Sequence, residues 1–268
     1  MQDGLDSYVS VAEAAFALGE GILETMIAVD GRIVREARHQ ARTERGLQLL
    51  SIDGFEWGLV ARRVADVTSR AQLCRARVRM IVSRGRLLEG FGGPAVDGAT
   101  TVVTISEASP PPKDLCAVVV DWPRRSGAGL NVEFKSLGYA NERYARKRAQ
   151  AAGGDIAILL SEQGFVACAD TANIFVLIAD RLLTPPKQDG ALLGTVREQI
   201  LEDGSSLGFE LHEVSIAPDD LHSADAVLLS NAGFGVCPLA EIKGVWRACN
   251  EEKVQARIDR LRRAIETS

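Results

Sequence analysis

Lys135 stands in Asn131-Val-Glu-Phe-Lys-Ser-Leu-Gly-Tyr139, at the end of an apolar approach and one step before Ser136-Leu137-Gly138. An arginine-rich run with helical spacing follows it. Most lysines are solvated among polar neighbours. One held near an apolar or cationic wall spends more time as the neutral amine, the form that attacks a carbonyl carbon. Other stretches could hold a ligand beside it. Gly194-Thr195-Val196-Arg197 opens a helical pattern, where backbone N–H groups and a threonine hydroxyl suit an anion, although an ordinary helix start reads the same way. His39-Gln40-Ala41-Arg42 places an arginine on a helix, as a solvated face also would. Leu228 to Gly235 ends an apolar run in Ser230-Asn231 and small residues, which suits a ligand or any exit from a strand. Asp170 to Phe175 puts an asparagine before a strand, which plain turn chemistry also explains.

Elements must position these groups, and the chain offers them in order. Ile22 to Glu36 reads as two strands around Asp30-Gly31, a dipeptide favoured in type I′ turns. Two stretches with apolar residues three to four apart, Ala37 to Ile52 and Gly54 to Ala71, predict helices, and two β-like stretches follow. The run Ser109-Pro-Pro-Pro-Lys-Asp114 cannot continue a sheet and marks a boundary. The expected organisation is a small α+β domain (1–108), a proline-rich connector (109–119) and a larger α/β domain (120–268). In the second part, Leu115 to Trp122 reads as a buried strand. Tyr139 to Gly154 is a helix stopped by a double glycine, with Glu142 and Arg146 one turn apart. Three meandering strands are expected between Asp155 and Pro185. A helix follows Gly194, strands cover Phe209 to Ile216 and Ala224 to Ala232, and a charged terminal helix spans 250–268.

The bulk properties bound the function. The 268 residues are 46% hydrophobic and 25% charged, ordinary for a globular protein with a core. A net charge of -5 argues against a nucleic-acid or membrane-surface role. Five cysteines (Cys74, Cys116, Cys168, Cys237, Cys249) without CxxC or metal-like spacing read as reduced thiols in the cytoplasm. The beginning of the chain lacks the pattern of a signal peptide, and no apolar run reaches membrane-spanning length. His39, His212 and His222 are too scattered to suggest a metal site.

The order of the short stretches resembles the class IV aminotransferase family, pyridoxal-phosphate enzymes of fold type IV that include D-amino-acid and branched-chain aminotransferases and aminodeoxychorismate lyase. Gly19-Glu-Gly-Ile-Leu-Glu-Thr25 is similar to its G-D-G-x-[FY]-E-T, and His39 to Arg42 to its H-x-x-R. Lys135 to Asn141 is similar to K-S-L-N-Y, and Gly164 to Phe175 to G-x-V-x-E-x-x-x-x-N-[IL]-F. Leu183 to Arg197 and Ala224 to Gly244 follow the last two patterns, so the resemblance covers most of the chain. It implies a D-amino-acid-aminotransferase-like architecture, pyridoxal 5′-phosphate in an interdomain cleft, a small amino substrate and a homodimer. It also implies that Lys135 forms the Schiff base with the cofactor and then moves the proton next to the substrate nitrogen. Arg42, the Gly194, Thr195 and Val196 amides, and Ser230-Asn231 would clamp the phosphate. Tyr139 would hydrogen-bond the cofactor's phenolic oxygen.

One departure bears on the reaction. The family's glutamate that keeps the pyridine nitrogen protonated is here Cys168, and a thiol does not supply that negative charge. A weak electron sink suits elimination of pyruvate from aminodeoxychorismate, because the product gains an aromatic ring. Alternatively Asp170, two residues on and on the same strand face, takes the role across a bulge, or the chain is a non-catalytic homologue. An aminotransferase acting on a small branched-chain or D-amino acid, or an amine, is the runner-up. Glu20 and Leu23 also depart from the pattern, on the substrate side in relatives. Arg124, Arg125 and Arg143 are the arginines considered for a substrate carboxylate.

Overall fold

The computed structural model describes residues 8–88, 93–249 and 251–266. They divide into two units, one running to Glu107 and taking in Phe134–Gly138, the other made of Ala108–Glu133 and Tyr139–Ser268. The connector expected at 109–119 overlaps a strand that begins at Leu115.

In the first unit a short helix, α1 (Ala14–Leu18), precedes β1 (Gly21–Val29) and β2 (Arg32–Ile33). Asp30 and Gly31 join the two strands with positive φ at both positions, the geometry of the expected turn. Helices α2 (Glu36–Leu49) and α3 (Trp57–Arg70) follow, then β3 (Arg75–Ser83) and β4 (Thr100–Glu107). The four strands form an antiparallel sheet in the order β2-β1-β3-β4. β3 alternates exposed and buried residues along most of its length, the mark of a sheet with one wet face. Its dry face packs Met26, Val78 and Met80 against Leu47, Val60 and Val64 of the helices, and Phe134 joins this core.

The second unit contains β5 (Leu115–Arg125), α4 (Ala140–Ala151), β6 (Ile156–Ser161), β7 (Val166–Ala169), β8 (Asn173–Ile178), β9 (Arg181–Thr184) and α5 (Thr195–Asp203). β10 (Glu210–Glu213), β11 (Ala226–Asn231), β12 (Gly235–Ile242), β13 (Trp246–Arg247) and α6 (Glu252–Glu266) complete it. Its nine strands form a mixed sheet ordered β10-β9-β8-β11-β12-β5-β6-β7, with β13 on β12. β5 pairs parallel to both β6 and β12. Apolar clusters line both faces, one around Ile158, Ile174 and Leu229, the other around Phe175, Ile200 and Leu261.

The stretch from 155 to 185 holds four strands rather than the three expected, because Asp170–Ala172 turns the chain between β7 and β8. Residues 235–242, for which no strand was expected, form β12. The terminal helix lies inside its expected span, of which 250, 267 and 268 fall outside the described residues. No helix among the described residues is long and apolar enough to cross a membrane.

Candidate active site

The first unit builds its polar centre on β1. Ile22, Glu24 and Met26 share a strand face, and α2 lies against it through His39, Arg42, Thr43, Gly46 and Leu47, spaced three to four apart. Glycine at 46 lets the helix come close, since a Cβ there would stand 2.8 Å from Ile22 Cγ2 and 2.9 Å from the Phe134 ring. One turn earlier, Arg42 donates to Glu24 through Nε (2.8 Å) and Nη2 (2.7 Å). His39 Nδ1 lies 2.7 Å from the same carboxylate. Burial alone would raise the Glu24 carboxyl, but Arg42 and His39 more than offset it and bring it down to about 2. Burial pushes His39 the other way, below its usual range, helped by Arg42 and Arg35 and opposed by Glu24.

Lys135 is held by the same strand. β2 is only two residues long, so the far end of the β1 edge is open to another segment. Leu23 N–H donates to the Lys135 carbonyl at 2.8 Å, and Ser136 bridges to Ile22. Phe134 is fully buried beside Gly46, and Lys135 itself is half-buried. Lys135 and Arg42 are therefore both placed by residues 22–24.

In the second unit Cys168 on β7 pairs with Leu159 on β6. Two residues on, Asp170 N–H donates to the Ala157 carbonyl and Asp170 Oδ2 accepts from Ala157 N–H, both at 2.9 Å. Helix α4 covers this face. Its Arg146 grips Asp170 through both Nε and Nη2, and its Glu142 pairs with Arg125 at the end of β5. Glu142 and Arg146, one turn apart, thus take separate partners rather than each other. Asp170 already accepts from Arg146, Ala157 and Thr171, so it is committed to holding α4 and the β7–β8 turn. Burial drives the Cys168 thiol up to about 11; Arg125 works against this, while Glu142 and Asp170 add to it. Cys168 is thus a neutral thiol, and a paired arginine offsets each carboxylate acting on it.

The expected phosphate ligands of this unit gather on three elements. Ser230 on β11 lies directly opposite Asn173 on β8. Asn173 Nδ2 donates to the Leu192 carbonyl at 2.8 Å, and a Cβ on Gly194 would run into Asn173 Oδ1. Gly194 is the residue before α5, whose first turn holds buried Thr195 and Val196. The Ser230 hydroxyl is buried and has no hydrogen-bond partner among the described residues. A lone buried hydroxyl, a glycine pressed against an asparagine and a helix start form a small, polar, uncharged cradle that fits a phosphate group. Asn231 has a structural task as well, accepting from Gly233 and Phe234 N–H and donating to the Thr171 carbonyl. Tyr139 is half-buried and immediately precedes α4.

Among the arginines considered for a carboxylate, Arg125 is buried in its pair with Glu142 and bonds the Gly190 carbonyl at 3.1 Å. Arg124 donates to the Ser161 carbonyl at 3.2 Å, and Arg143 is exposed. Glu20 pairs with Arg84, and Leu23 is buried. Sequence reasoning gave no role of its own to Glu24. A charged residue inside an otherwise apolar strand was the available signal for Glu24.

A Methanocaldococcus jannaschii protein, provisionally named a branched-chain-amino-acid aminotransferase, is 30% identical over 94% of this chain and 88% of its own length. The aminodeoxychorismate lyase of Vibrio harveyi is 26% identical over 97% of this chain and 95% of its own. The crystal structure of a Legionella pneumophila protein, provisionally named 4-amino-4-deoxychorismate lyase, has a TM-score of 0.89 at 20% identity, covering 98% of this chain and 97% of that one. Residues 21–242 match the amino-transferase class IV family. The chain belongs to that family of pyridoxal 5′-phosphate enzymes.

Proposed function

We propose that this enzyme is a lyase that converts 4-amino-4-deoxychorismate to 4-aminobenzoate and pyruvate. The observation that carries the reading is the neutral thiol of Cys168, flanked by carboxylates that arginines already offset. Bound pyridoxal 5′-phosphate supplies an electron sink for the bond broken next to the substrate nitrogen. A neutral thiol in place of a carboxylate beside the ring nitrogen would leave that sink shallow, which suits a reaction driven by formation of an aromatic ring.

In this reading the Lys135 amine carries the cofactor and then takes the proton from the carbon bearing the substrate nitrogen. Arg42, the Gly194, Thr195 and Val196 amides and the Ser230-Asn231 pair would hold the phosphate, each charge-assisted contact contributing roughly 1.5–3 kcal/mol. Tyr139 would hydrogen-bond the cofactor's phenolic oxygen. Incubating the purified holoenzyme with aminodeoxychorismate should yield an aromatic product and pyruvate. Absence of both, with turnover of an amino acid and keto acid pair, defeats the lyase assignment.

A second reading is an aminotransferase for a small branched-chain or D-amino acid, or an amine, and the name of the relative at 30% identity favours the branched-chain case. It predicts transfer of the amino group to the cofactor when the donor alone is added. A non-catalytic homologue, the third reading, would show no difference between wild type and Lys135→Ala in any assay, whereas an enzyme loses its turnover. Borohydride reduction should fix the cofactor on Lys135 in either enzyme.

A further inference from the structure

Glutamate is seldom found fully buried, yet Glu24 is 1% exposed in the middle of β1. It gathers three contacts from one face of α2, two from Arg42 and one from His39. A carboxylate that binds a guanidinium through Nε and Nη2 fixes the plane of the fork as well as its charge. His39, one helical turn before Arg42, meets the same carboxylate at Oε2, the oxygen that also accepts from Arg42 Nη2. Gly46, one turn after it, sets how closely the helix approaches the strand. Together these contacts leave the guanidinium one orientation before any ligand arrives.

We propose that Glu24 is the positioning residue for the phosphate contact of Arg42, presetting the guanidinium so that binding does not have to order it. The inference rests on the reading of Arg42 as a phosphate ligand. It makes a prediction of sign. The carboxylate also cancels the cationic charge of Arg42, so on charge alone its removal would strengthen anion binding. Presetting predicts the opposite, a loss of phosphate affinity without Glu24.

The test compares the affinities of the apo-protein for pyridoxal 5′-phosphate and for pyridoxal, which lacks the phosphate, by absorbance titration. Their ratio isolates the phosphate contribution, and a merely structural defect lowers both affinities together. In Glu24→Gln the ratio should fall about tenfold, the equivalent of one charge-assisted contact. An unchanged or higher ratio overturns the proposal. Arg42→Gln is the control on the underlying reading: if it leaves the ratio at the wild-type value, Arg42 is not a phosphate ligand and the premise fails. A fall in Arg42→Gln beside an unchanged Glu24→Gln rejects the positioning role alone. Should Glu24→Gln not fold, Glu24→Asp keeps the charge and withdraws it by one methylene. The ratio should then fall while the melting temperature stays close to wild type, and an unchanged ratio is equally decisive against the role.

Discussion

At the scale of single residues, charge balance separates Cys168 from Glu24. Cys168 is a buried thiol pushed up to about 11. Its reaction with iodoacetamide in the apo-protein should therefore be slow near neutral pH compared with exposed Cys74 and Cys249. Equal rates would mean that the thiol is not held in its neutral state. Cys168→Glu should deepen the electron sink and increase amino-group transfer to the cofactor, read as a change in the holoenzyme spectrum and in product ratio; an unchanged spectrum would place another residue against the ring nitrogen. Glu24 makes a prediction about stability. Its carboxyl lies at about 2 when folded against an ordinary value of 4.5, so its contribution is complete above about pH 4.5 and disappears as the pH falls towards 2. The difference corresponds to about 3 kcal/mol. Denaturant titrations at neutral and acid pH should show a steep acid limb in wild type that is flatter in Glu24→Gln. His39, depressed below 6.5, adds stability above that pH and gives it up as the unfolded imidazole takes on a proton. None of this was legible in the sequence, because Glu24 and His39 meet across fifteen positions.

At the scale of elements, legibility follows the pattern that each element must bury. β1, β2, α2 and α3 were readable because a turn dipeptide and a helical apolar stripe each have one structural solution. The split between β7 and β8 was not, since both strands are buried almost throughout and leave no polar alternation to mark the turn. β12 was hidden by Pro238, which argues against a strand in mid-sheet. Pairing with β5 begins only at Leu239, so the missing N–H does not interrupt that ladder. The site glycines make the element-scale prediction. Gly194→Ala drives a methyl into Asn173 Oδ1 and must displace either Asn173 or the start of α5. Overpacking of this kind costs about 1–3 kcal/mol. Thermal unfolding of the apo-protein should show that loss, and the affinity for pyridoxal 5′-phosphate should fall more than that for pyridoxal. An alanine variant with wild-type melting and affinity would show that α5 starts freely of Asn173.

At the scale of the whole chain, the order of short motifs was readable but the assignment of residues to units was not. The first unit's main segment ends at Glu107, just before the proline run. Nothing in the sequence showed that Phe134–Gly138 leaves the second unit's chain to pack with the first, because that depends on an open edge of β1 and a glycine on α2. The consequence is that Lys135 is carried by a segment whose anchor is one aromatic side chain. Phe134 is 1% exposed and belongs to the apolar cluster of the first unit. Phe134→Ala should cost about 3–5 kcal/mol, the usual loss for a buried phenylalanine that leaves a cavity. The loss should also release the backbone that carries Lys135, since the bond from Leu23 N–H to the Lys135 carbonyl is the next restraint along the segment. Chemical denaturation measures the first effect, and the rate of borohydride labelling at Lys135 in folded protein measures the second. A variant that loses the stability but keeps the wild-type labelling rate would show that the β1 edge alone holds the lysine in place.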